Sequence, residues 1–280
     1  FWQALFNKKM LICLFNGVTA GLPLFYLVQL IPGWLRTEEV DLKTIGLFAL
    51  VGIPYNWKFL WAPLLDYMEL PFLGLRRGWM VVTQIACMGG MYSLAFFDPA
   101  MDMQLIVMAA VSIAFFSASQ DIVLDAYRRE LLEDRELGIG NSMYMNGYRA
   151  ICFITGGLGL ILSGFISWSA VHLVIFSFIF IVIVKTLLIS EVILKDRKRL
   201  TLFQSVVEPL KEFFGRQGYK SALLFLCFLF LYKIGDNMAT ALSTPFYIDV
   251  GFSNTVIGAT IKTVSFWAMM IGAFAGGAAI

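Results

Sequence analysis

Charged residues are scarce in this chain. Asp, Glu, Lys and Arg make up 14% of its 280 residues, whereas an ordinary soluble domain carries roughly a quarter. Hydrophobic residues fill 59% of the positions, and they recur in long runs with almost no charge. Runs of about 20 apolar residues match the thickness of a bilayer, and these do not alternate as barrel strands would. The sequence therefore predicts membrane-spanning helices and an all-α fold.

The residues needed for metal and redox chemistry are also few. The single histidine, His172, stands alone near the outer end of a predicted helix, and we assign it no metal role. The four cysteines are scattered without CxxC spacing, so neither a disulfide framework nor a metal site is expected. The sequence has no phosphate-binding glycine loop and no nucleophile elbow, which argues against an ATP-driven pump and a serine hydrolase. We expect no cofactor and no nucleic-acid partner.

The apolar runs predict eight helices. They cover residues 10–31, 44–65, 78–97, 103–127, 138–165, 169–189, 219–245 and 254–280. Six helices within residues 1–190, a polar linker over 191–218 and two more helices over 219–280 indicate a two-bundle plan. The linker contains a candidate amphipathic helix at residues 200–215. Because the chain begins without methionine and stops within an apolar helix, we expect the second bundle to be incomplete.

Basic residues alternate between the predicted connections. Lys8 and Lys9, the arginines of the second and fourth connections and the basic stretch 195–220 all fall on one side. The opposite side carries only Arg36 and Lys43 as basic residues. By the positive-inside rule, the first side and the N-terminus are cytoplasmic.

Ionisable residues inside the predicted spans are candidates for function, because a charge within the bilayer costs a few kcal/mol. Arg149 lies roughly 16 Å from the cytoplasmic end of its helix and should meet a carboxylate of a substrate or of the protein. Asp121 lies roughly 10 Å inside the fourth helix. It could carry a proton, or it could be a permanently ionised partner of Arg149, and the sequence leaves both open.

Other buried charges have simpler explanations beside a functional one. Asp125 should be structural, reaching Arg129 on its own helix or the basic loop between helices two and three. Lys185 lies near a helix end and is expected to snorkel toward the headgroups. Lys58, deeper in the second helix, could snorkel only with strain and is a candidate for substrate binding.

The predicted seventh and eighth helices carry further candidates. Lys233 and Asp236 stand three residues apart and could neutralise each other, or Asp236 could be a second proton carrier. Lys262 has no obvious partner in the sequence, so its candidate partners are Asp236 and an anionic ligand. On the fifth helix, Tyr144 and Tyr148 lie one turn apart and could stack on sugar faces while donating hydrogen bonds.

Small residues recur at helix-packing intervals. Gly17 with Gly21, Gly272 with Gly276, and the glycine-rich run 156–164 would all allow helices to approach closely. Packing is the simplest role for each.

Three strings carry a family resemblance. Residues 42–79, the string FFSASQDIVLDAYRRELL at 115–132 and LYKIGDNM at 231–238 closely resemble AmpG-type muropeptide permeases. The resemblance implies the major facilitator fold and proton-driven import of anhydro-muropeptides across the inner membrane of Gram-negative bacteria. Such import feeds cell-wall recycling and influences induction of β-lactamase. We expect a monomer whose partners are the muropeptide, protons and the bilayer.

The resemblance also implies roles for single residues. It places Ala118, Gln120 and Asp121 on the fourth helix and Gly17 on the first at the substrate site, with proton coupling at Asp121. Asp66 with Arg76 and Arg77 resembles the gating loop of the superfamily, although the loop DYMELPFLGLRR is longer than the usual one and leaves the pairing partner open. The expected latch residues are Asp66, Arg76, Arg77, Asp125, Arg128 and Arg129.

Under this hypothesis, two bundles alternate access to a central site. The expected substrate contacts are Gly17, Lys58, Ala118, Gln120, Tyr144, Tyr148, Arg149, Lys233 and Lys262. A carrier for another substrate is an alternative, since acetyl-coenzyme A transporters share parts of the strings and siderophore or drug carriers are possible. An integral-membrane enzyme acting on lipid-linked wall precursors is a second alternative, but it would need acids or histidines gathered at one membrane face.

Overall fold

A computed structural model describes residues 7–70, 73–191, 207, 211–216, 218–232 and 263–279. These residues form helices and connecting segments without a strand, which confirms the all-α prediction. We label the principal helices in chain order. They are α1 (Lys8–Thr37), α2 (residues 42–67), α3 (Leu75–Leu94), α4 (Met103–Leu131), α5 (Asp134–Ser163), α6 (Trp168–Leu188), α7 (Tyr219–Tyr232) and α8 (Thr263–Ala279).

Four of the described helices, α1, α4, α5 and α6, are long and apolar enough to cross a membrane. The helices α1 to α6 all belong to the first of two compact units in the chain, and α7 belongs to the second. In that second unit, residues 211–216 are helical, within the stretch predicted as an amphipathic linker helix. The predicted domain limits at 190 and 218 stay predictions.

The second helix was predicted as one continuous span, and this is wrong. In the structure α2 is broken into short α-helical pieces separated by 3₁₀ segments at Ala49–Gly52 and Lys58–Leu60. Pro54 and Pro63 each stand in the first turn of the piece that follows a 3₁₀ segment. Proline lacks the N–H that would bond four residues back, so the regular ladder cannot continue through these points. Lys58 therefore lies at a break in the helix.

The helices α1 and α5 cross with their backbones in close contact. A Cβ atom on Gly17 would lie 1.9 Å from the carbonyl oxygen of Tyr144, and one on Gly147 would lie 2.0 Å from the carbonyl oxygen of Leu14. The two glycines are thus reciprocal, each facing the main chain of the other helix. Sequence spacing indicated Gly17 as a packing residue but gave no signal for Gly147. Among the described residues, none lies within 4 Å of a Cβ built on Gly272.

Two polar side chains of α6 point into the bundle, contrary to expectation. The Nζ atom of Lys185 donates to Oδ1 of Asn16 on α1 at 2.6 Å, so Lys185 does not snorkel outward. Side chains lean toward the N-terminus of their own helix, which in α6 is the end far from Lys185. His172 is buried beside α1, with its Nδ1 2.9 Å from the Tyr26 hydroxyl and its ring edge-on to Trp34 at 4.5 Å.

Alanine in place of Gly17 or Gly147 is expected to destabilise the α1–α5 pair, because the added methyl group must push the helices apart. Overpacking of this kind costs about 1 to 3 kcal/mol, measurable as a loss in free energy of unfolding in mixed detergent micelles. Gly89→Ala on α3 is the matched control, since a Cβ there meets nothing within 4 Å. It should leave stability unchanged or raise it slightly. Equal losses in free energy of unfolding for Gly17→Ala, Gly147→Ala and Gly89→Ala would contradict the close contact between α1 and α5.

Candidate functional site

The central feature of the first unit is an ion pair between α2 and α4. Nζ of Lys58 lies 2.6 Å from Oδ2 of Asp121, and the two side chains keep 31% and 24% of their surface exposed. Asp121 stands ten residues before the end of α4 at Leu131, or about 15 Å along the helix. Asp121 is thus paired with Lys58, a partner that the sequence did not indicate. The sequence had left open whether Asp121 carries a proton or is the ionised partner of Arg149. We call Lys58, Asp121 and Tyr144 the Asp121 site.

The fifth helix closes this site from another side. The Tyr144 hydroxyl lies 3.4 Å from Oδ1 of Asp121, the oxygen that does not bind Lys58. The guanidinium of Arg128 lies over the Tyr144 ring, 4.1 Å from its centroid, in a cation–π arrangement. Arg128 also donates to Asp125 at 2.8 Å. The acid Asp125 is therefore held by Arg128, and the predicted partner Arg129 instead pairs with Asp134.

Aromatic side chains hold the broken helix against α4. The indole N–H of Trp61 donates to the Ser119 hydroxyl at 2.9 Å, and its ring packs on Phe115 at 4.9 Å. Trp61 follows the 3₁₀ segment that carries Lys58, so these contacts fix the position of the lysine. Tyr148, predicted to stack on a sugar, lies one turn beyond Tyr144 and packs edge-on against Phe25 at 4.8 Å.

Gln120 connects α4 to α1. Its side-chain amide donates to the carbonyl oxygen of Thr19 at 2.9 Å, and the side chain is buried. Thr19 precedes Pro23 by four residues, and proline has no N–H to offer that carbonyl. The proline thus frees an acceptor that Gln120 uses. Ala118 is fully buried and Gly17 packs against α5, so contact of these three residues with a substrate stays a prediction.

The remaining substrate candidates divide into two groups. Arg149 lies half-buried on α5, five residues after Tyr144, and its role stays a prediction. Lys233, Asp236 and Lys262 lie outside the described residues. Within the described part of the chain, no group of three or more His, Cys, Asp or Glu side chains could hold a metal ion.

A second cluster of ion pairs lies at the end of α2, the beginning of α3 and the end of α4. Arg76 donates to Asp66 through Nη1 at 2.5 Å, and through Nε and Nη2 to the Glu130 carboxylate at 2.5 to 3.1 Å. We call Asp66, Arg76 and Glu130 the Arg76 network. The gating-loop resemblance had indicated Asp66, Arg76 and Arg77 together and left the pairing partner open, and the structure pairs Asp66 with Arg76. Glu130 was missed, because its distance in sequence from Arg76 gives no sign of contact.

The two clusters differ in solvent exposure. Arg76 and Glu130 are 8% and 14% exposed, and a fork of donors meeting a carboxylate is a rigid and specific geometry. Arg77 is held separately, with its guanidinium donating to the Leu187 carbonyl at the end of α6 at 2.7 Å. Arg76 and Glu130 therefore form a buried joint between α3 and α4, with Asp66 46% exposed beside it, whereas both members of the Lys58–Asp121 pair are partly open.

Comparison with known proteins places the chain in a family. The profile of the Major Facilitator Superfamily matches residues 57–280, so the chain belongs to the Major Facilitator Superfamily. With its apolar helices, it is a multi-pass membrane protein.

Individual relatives agree with this assignment. The chain is 44% identical over 275 residues to an uncharacterized protein of Haemophilus influenzae, covering 98% of this chain and 65% of that protein. It is 40% identical over 268 residues to the anhydromuropeptide permease of Escherichia coli strain K12, covering 95% of this chain and 54% of that protein. The chain thus spans between about half and two thirds of the length of these relatives. The resemblance to AmpG-type permeases is confirmed.

Removing the Arg76 guanidinium should strongly destabilise the first unit. In Arg76→Gln, Glu130 would remain buried without its cation, and losing one partner of such a pair costs about 3 kcal/mol or more. The free energy of unfolding in mixed micelles measures this loss. Arg135→Gln is the control, because Arg135 is 83% exposed and pairs only with exposed Glu133, so its change should stay within about 0.5 kcal/mol. Similar losses in both variants would contradict the proposed difference in burial.

Proposed function

We propose that this chain works in a proton-coupled carrier that imports anhydro-muropeptides, the GlcNAc-anhydroMurNAc peptides released by wall turnover, across the bacterial inner membrane. The observation that carries the proposal is the partly exposed Lys58–Asp121 pair within a membrane bundle. The 40% identity to a protein named anhydromuropeptide permease supports the substrate class. Family membership supports a carrier over the enzyme alternative.

The pair offers a physical route to proton coupling. When Asp121 is ionised it binds Lys58, and the Lys58 ammonium is occupied. A proton on Asp121 removes the negative charge and releases Lys58, which can then bind a carboxylate of the muropeptide peptide or sugar. The bound proton and bound carboxylate leave the net charge of the site unchanged, so a charge penalty within the membrane is avoided. Proton and substrate therefore favour each other's binding.

Breaks in the helix support a role for this position in binding. Discontinuous helices in carriers expose backbone groups and side chains to the substrate near the middle of the membrane. Lys58 lies in such a break, between Pro54 and Pro63. The partly exposed Trp61 lies one turn from Lys58, and an aromatic ring is a surface of the kind on which a sugar can stack.

We further propose that the N-terminus is cytoplasmic, from the distribution of basic residues, and that the Arg76 network is a latch on that side of the first bundle. In the alternating-access scheme, residues 1–190 form the first bundle and residues 219–280 the start of the second. We expect the carrier to act as a monomer.

Asp121→Asn tests the coupling role. The amide cannot carry the proton, so accumulation of labelled disaccharide-peptide driven by a pH gradient in vesicles should be abolished, while exchange of labelled for unlabelled substrate persists. Asp98→Asn, in the exposed turn before α4, is the control and should accumulate substrate normally. Full accumulation by Asp121→Asn would exclude Asp121 as the coupling acid, and a chemically altered product would point to an enzyme.

A double variant separates coupling from structural support. Lys58→Gln alone leaves Asp121 unpaired and should lower the amount of protein in the membrane, since an uncompensated charge is costly there. Lys58→Gln with Asp121→Asn removes both charges and should restore the protein level. It should still fail to accumulate substrate. Recovery of accumulation in the double variant would show that the pair only holds the helices together.

A further inference from the structure

Glu191, three residues beyond the end of α6, lies against the beginning of α3. Its Oε1 accepts the backbone N–H of Arg76 at 2.8 Å, and its Oε2 accepts the backbone N–H of Arg77 at 2.9 Å. Arg76 and Arg77 are the second and third residues of α3. One carboxylate thus binds both main-chain donors at the start of a helix to which it is not connected in sequence.

The first turn of α3 cannot supply these bonds itself. The first N–H groups of a helix have no internal acceptor, and a side-chain oxygen at the N-cap usually provides one. Here the N-cap is Gly74, which has no side chain, has φ +80° and would place a Cβ 2.8 Å from Cδ of Glu191. Glu191 takes the place of the missing cap, and its negative charge is favoured at a helix N-terminus.

The capped residue is also the centre of the Arg76 network. The backbone of Arg76 binds Glu191 while its guanidinium binds Asp66 of α2 and Glu130 of α4. Any movement of the first turn of α3 therefore moves the arginine relative to its two carboxylates.

Two more bonds attach the end of α6 to the same region. Arg77 donates through its guanidinium to the carbonyl of Leu187 at 2.7 Å. The Tyr127 hydroxyl of α4 donates to the carbonyl of Ser190 at 2.9 Å. The end of α6 is thus held at three points, by Leu187, Ser190 and Glu191, and the chain continues from there into the predicted linker.

We propose that Glu191 is a positioning residue of the latch: by capping α3 it sets the geometry of Arg76, and it attaches the end of α6 to the Arg76 network. The proposal rests on the proposed carrier function. Glu191 does not touch the Asp121 site, so it acts on the rate of the conformational step and leaves substrate affinity unchanged.

The test compares Glu191→Gln and Glu191→Asp in the full chain, reconstituted in lipid nanodiscs and in vesicles. Glu212→Gln is the matched control, because Glu212 is an exposed acid of the same predicted linker that pairs with the likewise exposed Arg216. Hydrogen exchange is measured for the peptide covering the first turn of α3. The coupling energy between Arg76 and Glu130 is obtained from a double-mutant cycle of unfolding free energies, measured with and without Glu191→Gln. Initial uptake rates give KM and the maximal rate.

Glu191→Gln should speed amide exchange in the first turn of α3 about tenfold, the change expected when a charge-assisted hydrogen bond is lost. It should also reduce the coupling between Arg76 and Glu130, and lower the maximal uptake rate about tenfold at unchanged KM. Glu191→Asp keeps the charge and should recover part of each effect. Glu212→Gln should match the unsubstituted chain in all three measurements.

Three results would overturn the proposal. Unchanged exchange in Glu191→Gln would mean that the cap is absent in the membrane. Faster exchange with undiminished coupling of Arg76 to Glu130 would make Glu191 a helix cap and nothing more. A rise in KM at a constant maximal rate would place Glu191 in substrate binding. If the unsubstituted chain takes up no muropeptide, the proposed function fails, while exchange and the cycle still decide the role of Glu191.

Discussion

The interior of the bilayer offers no hydrogen-bond partners, so a polar group in this bundle needs a partner within the protein. Several of the bonds that result run between helices. Lys58 with Asp121 joins α2 to α4, and Lys185 with Asn16 joins α6 to α1. A third bond, from Gln84 to Thr186, joins α3 to α6 at 3.0 Å. A few polar contacts in an otherwise apolar interior thus determine which helices are neighbours.

Burial determines how readily each of these polar contacts can separate. Lys58 and Asp121 keep between 24% and 31% of their surface exposed, so water, a proton or a ligand can compete with either partner. Arg76 is 8% exposed, and separating it from its acids would leave a buried charge without compensation. The same chemistry, a cation facing a carboxylate, therefore gives a readily exchanged pair at the Asp121 site and, in the Arg76 network, a pair that separates only at a larger cost.

The sequence was sufficient for the helical class and the order of the first six helices, and it indicated Asp66, Arg76 and Arg77 as a set without deciding which of them pair. It also contained the cause of the break in α2, since Pro54 is visible, but the length of the apolar run favoured a continuous span. The sequence indicated how far along its helix each residue lies, but not which side of the helix it faces. That is why Lys58 was not recognised as the partner of Asp121, and why Lys185 was expected to face outward.

The bond from Gln120 to the carbonyl oxygen of Thr19 has a consequence for which mutations can remove this contact. Its acceptor belongs to the main chain, so no replacement of the Thr19 side chain can delete it. Whether that oxygen is free depends on Pro23, a residue that takes no part in the bond. A mutation that restores an ordinary amide at position 23 would therefore bring in an internal competitor for that oxygen. The contact between α1 and α4 thus depends in part on Pro23, a residue that does not take part in the bond itself.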